Sequence, residues 1–293
     1  MPTCYPYSFR AMGSPCTLHL YAGSAAQADR VAGVMQQEIL RLEQKYSRYR
    51  DDSVTSAINA TANRGDTIAV DTETAALLDY ADTLWQQSDG LFDITSGLMR
   101  QAWPFHLKER FDIPSQALLD KLLQHVGWHH IKLEGNNVHF QRDGMELDLG
   151  GIVKEYAADC AASTLLAQGI RHGLINLGGD IKAIGPHPDG APWEVKIRRP
   201  TETNSTASSM LLYDEGLATS GDYERCILLN GKRFSHILSP KTGWPVIGLA
   251  SVTVKAPQCV IAGSAATIAM LKGKQGRTWL AGLGVEYRAI DRD

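Results

Sequence analysis

Two stretches constrain this chain more than any other: Glu146-Leu147-Asp148-Leu149-Gly150-Gly151-Ile152-Val153-Lys154-Glu155-Tyr156 and Ile175-Asn176-Leu177-Gly178-Gly179-Asp180-Ile181. Each reads as an apolar strand running into a double glycine. After the first pair, Val153, Ala157, Ala161 and Leu165 recur every four residues and share one face of a helix that Gly169 closes. The unit is therefore strand, glycine turn, helix, strand. Glycines at such a turn let main-chain N–H groups approach a ligand, and a helix N-terminus carries partial positive charge that suits a phosphate. A nucleotide or another anion is the first functional expectation; a tight turn in a packed sheet is the plain alternative. The dinucleotide fingerprint is excluded, because no G-x-G-x-x-G follows the strand and the acid, Asp148, precedes the glycines.

The remaining chemistry narrows the class. With 293 residues, 44% hydrophobic and 21% charged, the chain can bury a sizeable core and falls among ordinary soluble globular proteins. A formal net charge of -3 gives no general attraction to nucleic acid or an anionic membrane. The basic run Lys196-Ile197-Arg198-Arg199 lacks interleaved aromatics and reads as solvated strand, so no nucleic-acid partner is expected. The cysteines, Cys4, Cys16, Cys160, Cys226 and Cys259, are odd in number and form no C-x-x-C pair, as reduced thiols do in a cytosolic setting. Too few residues precede Cys4 for a lipoprotein leader, and no run of about 18 apolar residues offers a membrane span. The expectation is a cytoplasmic protein.

Taken in order, residues 15–21 read as a strand, and Ser24 caps a long helix with Ala28, Val31, Met35, Ile39, Leu42 and Tyr46 on its inner face. A polar and aromatic patch, 46–53, follows. Asp71 caps a second helix that Asp89-Gly90 ends, and 88–95 is short and turn-rich. Ser115 starts a further helix. Hairpin turns are expected at Gly135-Asn136-Asn137, at Arg142-Asp143-Gly144 and at Asn230-Gly231. Alternation over 249–255 predicts a half-buried strand, and a small-residue helix over 259–271 stops at Gly273. The Thr- and Ser-rich region 200–209 is expected to be a mobile loop.

Together these pieces resemble the flavin transferase (ApbE) family, which moves the FMN half of FAD onto a threonine or serine of another protein. The matching blocks are 9–13, 46–53, 89–95, 147–159, 176–180, Ala218-Thr219-Ser220-Gly221, Ser235-His236-Ile237-Leu238-Ser239-Pro240-Lys241-Thr242-Gly243 and 262–273, in the family's order over almost the whole chain. The resemblance implies an α+β fold with mixed or antiparallel sheets and packed helices, T-fold-like, as one flavin transferase domain over 1–293 with room for two lobes around an FAD cleft. It implies FAD as substrate, Mg²⁺ as metal and an acceptor flavoprotein as partner. By position, Met12, Tyr49, Leu91, Phe92, Asp93 and Asp148 fall where the family contacts FAD, and Lys154 at the helix start suits the pyrophosphate. Tyr49 and Phe92 offer flat apolar surface to a ring system, and carboxylates accept hydrogen bonds from sugar or amino groups. His236 matches a family histidine and is the candidate general base or phosphate-orienting group. Gly151, through its carbonyl, and Thr267 match the metal site.

One position departs from that pattern. The family carries an aspartate four residues before its threonine, and here that position is Gly263. Magnesium usually takes one or two carboxylates, so the site is expected to be weakened, with Asp148, Asp180 or Asp222 as possible replacements. Lys154-Glu155 stands where the family often has Lys-Gly, Val153 replaces the usual alanine, and Ser239 replaces an aspartate before Pro240. Three readings stay open: FMN transfer, FAD pyrophosphatase activity with water as acceptor, and a non-catalytic FAD-binding protein. Gly263→Asp is expected to raise metal-dependent turnover on a competent scaffold.

Overall fold

The computed structural model describes residues 2–105, 112–198, 206–223, 226–229 and 232–292. In chain order the strands and helices are β1 (Thr3–Ala11), β2 (Ser14–Ala22), α1 (Ala25–Tyr46), α2 (Val54–Ala62), β3 (Thr67–Ala69), α3 (Thr72–Gln87), α4 (Gln116–Leu123), β4 (Ile131–Glu134), β5 (Asn137–Phe140), α5 (Val153–Ala167), β6 (Gly173–Leu177), β7 (Asp180–Ile184), β8 (Trp193–Arg198), β9 (Thr206–Leu212), β10 (Gly216–Gly221), β11 (Cys226–Leu229), β12 (Lys232–Ser235), β13 (Leu249–Ala256), α6 (Cys259–Leu271), α7 (Gly276–Leu283) and β14 (Glu286–Asp291). A 3₁₀ segment covers Ile94–Gln101. Seven strands form the main sheet in the order β1-β2-β6-β7-β10-β13-β14, antiparallel at every pairing. The α+β class expected from the resemblance is therefore met, with antiparallel pairing throughout this sheet. No helix among the described residues is long and apolar enough to cross a membrane.

The helix signals worked because they are local. Ser24, Asp71 and Ser115 each accept a hydrogen bond from a backbone N–H three residues on, and so satisfy one of the orphan donors at a helix start. Ala28, Val31, Met35, Ile39, Leu42 and Tyr46 of α1 are all buried, as are Val153, Ala157, Ala161 and Leu165 of α5, and the two helices pack on the same side of the core. α6 is buried on nearly every side, consistent with its small residues. The unforeseen α2 carries a readable start: Ser53 accepts from the Ser56 N–H at 3.0 Å.

Several strand expectations need correction. Residues 146–149 belong to no strand. The Asn59 side chain instead accepts from the Leu147 N–H (2.7 Å) and donates to the Leu147 carbonyl (3.0 Å), while the Asp148 N–H donates to the Ile94 carbonyl. One amide side chain thus replaces a neighbouring strand. The second double glycine is the two-residue turn of the β6–β7 hairpin, with Gly178 and Gly179 both at positive φ and Leu177 facing Asp180. Gly135-Asn136 does turn a hairpin between β4 and β5, but Arg142-Asp143-Gly144 only bends the chain. β13 is buried on both faces rather than one, because its small polar residues pair within the sheet: Thr253 Oγ1 lies 2.8 Å from Thr219 Oγ1. Asn230-Gly231 and most of the loop expected at 200–209 lie outside the described residues.

Candidate functional site

The segment from Asp148 to Glu155 touches one site feature after another. Asp148 comes first. Its Oδ1 accepts from the Gly150 N–H at 2.9 Å, and its Oδ2 accepts from Arg48 in a close ion pair. Gly97 permits this packing, since a Cβ there would lie 2.5 Å from that of Asp148. Arg48 also donates to the Tyr49 hydroxyl (2.8 Å), with its guanidinium 4.9 Å from the ring centroid, so Tyr49, 77% exposed, is held from one side and open on the rest. The 46–53 patch and Asp148 therefore form one corner. Arg48, its link, carried no sequence signal beyond membership of that patch.

Gly151 comes next, beside the Phe92 ring, which lies 3.5 Å from the place a Gly151 Cβ would take. Phe92 is buried, and its N–H donates to Ser88 Oγ. Leu91 is half-buried in the same turn. Asp93 is buried too, but both its oxygens are engaged within the protein: Oδ1 accepts from the Thr95 N–H and hydroxyl, and Oδ2 from the Trp128 N–H at 2.9 Å. Its carboxylate caps the 3₁₀ segment and ties it to the Trp128 region.

Lys154 follows in the first turn of α5, whose N-terminus has no side-chain cap. Its ammonium pairs with buried Asp180 at 2.7 Å and lies close to the Gly178 turn and to Ser14. Ser14 directly follows Met12-Gly13, the β1–β2 turn, where both residues adopt left-handed φ (51° and 69°) and Met12 is half-buried against the core. Met12, Lys154 and the second double glycine are thus brought to one end of the central strands. Asp222, by contrast, is buried between Arg233 (3.4 Å) and Arg292 (3.5 Å).

Glu155 turns the other way, into the α5–α6 interface. It is buried, and its Oε2 has no hydrogen-bond partner among the described residues. Desolvation raises its pKa well above the ordinary carboxylate range, and the negative charge of Asp180 adds to the effect. Across the interface lies Gly263, where a Cβ would stand 2.5 Å from Glu155 Cγ and 2.6 Å from Oε1. Thr267 is on the same face of α6 one turn further along, half-buried. No group of three or more His, Cys, Asp or Glu that could hold a metal ion is found among the described residues. A magnesium ion does not require one, since it keeps waters and takes one or two carboxylates together with substrate phosphates. A buried carboxyl oxygen with no hydrogen-bond partner, against Gly263 and one helical turn from Thr267, fits such an ion.

His236 belongs to a different wall. It follows β12 in a bend, half-buried, with its ring edge-on to Phe105 (centroids 6.4 Å apart). Phe105 stacks on Trp103, which also meets Phe234 and Trp244 and donates its Nε1–H to the Gly243 carbonyl at 2.8 Å. The 3₁₀ segment leads from Asp93, near Phe92, to Trp103 and so connects this wall to Phe92 and Gly151. Ser239 does the work of a turn-forming acid here: its hydroxyl accepts from the Lys241 N–H and its carbonyl from the Gly243 N–H.

The model of the ApbE family matches residues 12–289. A Rhodobacter capsulatus protein described as an FAD:protein FMN transferase is 32% identical over 270 residues, covering 92% of this chain and 51% of its own. The chain thus spans about half the length of that relative. A Vibrio cholerae protein of the same description is 32% identical over 248 residues, 82% of this chain and 74% of the other. The crystal structure of an ApbE protein from Thermotoga maritima superposes with a TM-score of 0.90 at 28% identity, over 99% of this chain and 94% of that one. The chain belongs to the ApbE family.

Proposed function

We propose that the chain transfers the FMN moiety of FAD to a threonine or serine hydroxyl of an acceptor flavoprotein. The observation that carries this reading is the gathering of Tyr49, Phe92, Asp148, Gly151 and Lys154 around one segment, 148–154, in a chain matched by the ApbE family over 12–289. Tyr49 and Phe92 offer aromatic surface to the isoalloxazine. Asp148, fixed by Arg48 and Gly150, accepts hydrogen bonds from the flavin's polar edge. Lys154 supplies positive charge at the pyrophosphate, with Asp180 fixing its ammonium.

In the reaction, the acceptor hydroxyl oxygen forms a bond to the FMN phosphorus, the pyrophosphate P–O bond breaks and AMP leaves with the electron pair. The hydroxyl proton passes to a base, for which His236 is the candidate. Phe105 packs against its ring and limits its orientation. Mg²⁺, held from Gly151 and Thr267 with a carboxylate beside them, would neutralise charge developing on the phosphate oxygens. Incubation with FAD, Mg²⁺ and a candidate acceptor domain tests the reading. AMP release with an FMN mass increment on the acceptor is the expected result, and AMP with free FMN and unmodified acceptor would assign a hydrolase. Tight FAD binding without AMP under any metal condition would leave a binding protein.

A further inference from the structure

We infer that Glu155 takes over the task of the aspartate missing at 263, so that the carboxylate for the divalent cation comes from α5 instead of α6. This rests on the proposed transferase reading for the presence of a cation, and on the α5–α6 interface for its ligand.

Steric exclusion is the first argument. A Cβ on residue 263 would stand 2.5 Å from Glu155 Cγ, 2.6 Å from Oε1 and 2.8 Å from Cδ. Non-bonded carbons prefer about 3.5–4.0 Å, so glutamate at 155 and any side chain at 263 compete for one volume. The two departures from the family pattern, Glu for Gly at 155 and Gly for Asp at 263, are therefore one exchange. A carboxyl group still fills the space, rooted on the facing helix, and the longer glutamate stem carries it to the surface of α6. Thr267 lies one turn along that surface, and its Cα–Cβ bond tilts toward the helix N-terminus, in the direction of Gly263. Gly151 lies just before the turn of α5 that bears Glu155.

The second argument is elimination. Asp148 is paired with Arg48, Asp180 with Lys154, and Asp222 with Arg233 and Arg292. Asp159 accepts from the Cys259 and Val260 N–H groups and caps α6. Asp180 Oδ2 and Asp222 Oδ2 are, like Glu155 Oε2, buried without a hydrogen bond, but each faces a cation, Lys154 at 2.7 Å and Arg292 at 3.5 Å, whereas Glu155 has no ion pair among the described residues. Protonating Glu155 would remove the charge but would give Oε2 no hydrogen-bond partner among the described residues. Burying an ionised carboxylate costs several kcal/mol unless a cation or donors compensate. A divalent ion between Glu155 and Thr267 would supply that compensation.

Metal binding can be measured apart from activity. Mn²⁺ is titrated into the full chain, alone and with ADP as a diphosphate stand-in, and followed by the paramagnetic resonance of free Mn²⁺. FAD binding without metal is followed by flavin fluorescence, and folding by circular dichroism. Glu155→Gln, which keeps the shape, is expected to weaken Mn²⁺ binding by at least about tenfold, the least that loss of a ligand's supporting partner costs. FAD binding should stay within about twofold. The double variant E155G/G263D, which moves the carboxylate back to α6, is expected to recover Mn²⁺ binding. Parent-like Mn²⁺ affinity in Glu155→Gln, or no recovery in a folded double variant, would overturn the inference. If Mn²⁺ behaves as expected but FAD yields no AMP, the transferase reading fails while the ligand assignment stands.

Discussion

On one face of α5, Tyr156 reaches a cluster in which every carboxylate is answered. Glu73 accepts from Arg41 at 2.7 Å and from Lys45 at 2.6 Å, Lys45 also pairs with Asp71, and the Tyr156 hydroxyl donates to Glu73 at 3.2 Å. On another face, the preceding residue, Glu155, points into an interface where one of its oxygens has no partner among the described residues. The consequence shows in acidity. The bonds from Arg41, reinforced by Lys45, hold Glu73 down to about 2, whereas desolvation and Asp180 push Glu155 up. Neighbouring residues on one helix thus differ: the Glu73 cluster fastens α1, α3 and α5 together, while Glu155 keeps a buried carboxyl oxygen with no hydrogen bond among the described residues. A saturated ion-pair network is a structural device; an unsaturated buried carboxylate has a cost, and that cost calls for a function.

The largest effect that could break this comparison is Gly263→Asp made alone. The sequence by itself leads one to expect a gain in turnover from this change, and the structure sets a steric cost against it. With Glu155 in place, the new side chain overpacks the α5–α6 interface and sets two carboxylates together, so urea unfolding should shift by about 3 kcal/mol or more toward instability. An unchanged midpoint would show that Glu155 yields its volume easily. Next in size is the response to metal removal. In EDTA, Glu155→Gln should be more stable than the parent by about 1–3 kcal/mol, and millimolar Mn²⁺ should raise the Tm of the parent but not of the variant. Equal Tm shifts in both would place the ion elsewhere.

Smallest, and on the other side of the comparison, is Glu73→Gln, with an expected loss of about 1–3 kcal/mol at pH 7, between the ranges for exposed and buried pairs. The sign with pH follows from its depressed pKa. The contribution is full above the ordinary glutamate value, near 4.5, and fades as pH falls through about 2. The stabilities of parent and variant should therefore converge in acid. A gap that stayed constant down to pH 2 would mean the loss came from packing rather than charge.

Much of the fold could be read from residues in order. The caps at Ser24, Asp71 and Ser115, the inner faces of α1 and α5, and the stop of α6 at Gly273 are all written within one or two helical turns. The strand expected at 146–149 was not legible in the same way. Its apolar spacing looks like a strand, yet its backbone is satisfied by Asn59, a residue on α2 with no periodic relation to it. At the site, the candidates around the double glycines do gather, but Asp93 spends its carboxylate on the Thr95 and Trp128 groups, and Arg48, unremarked in its patch, turns out to hold Asp148.

Gly263 separates the two levels most clearly. The sequence by itself determined that a glycine stands where the family has its aspartate, and a glutamate where it often has a glycine, because identity and order are properties of the chain. Only the tertiary structure decided that these are two halves of one exchange. Periodicity specifies which face a residue shares within its own helix; it carries no information about the residue that meets it from another. That pairing arises from the packing of α5 against α6, where side chains exclude one another at contact distance and a carboxyl group can be supplied from either helix to the same few cubic ångströms.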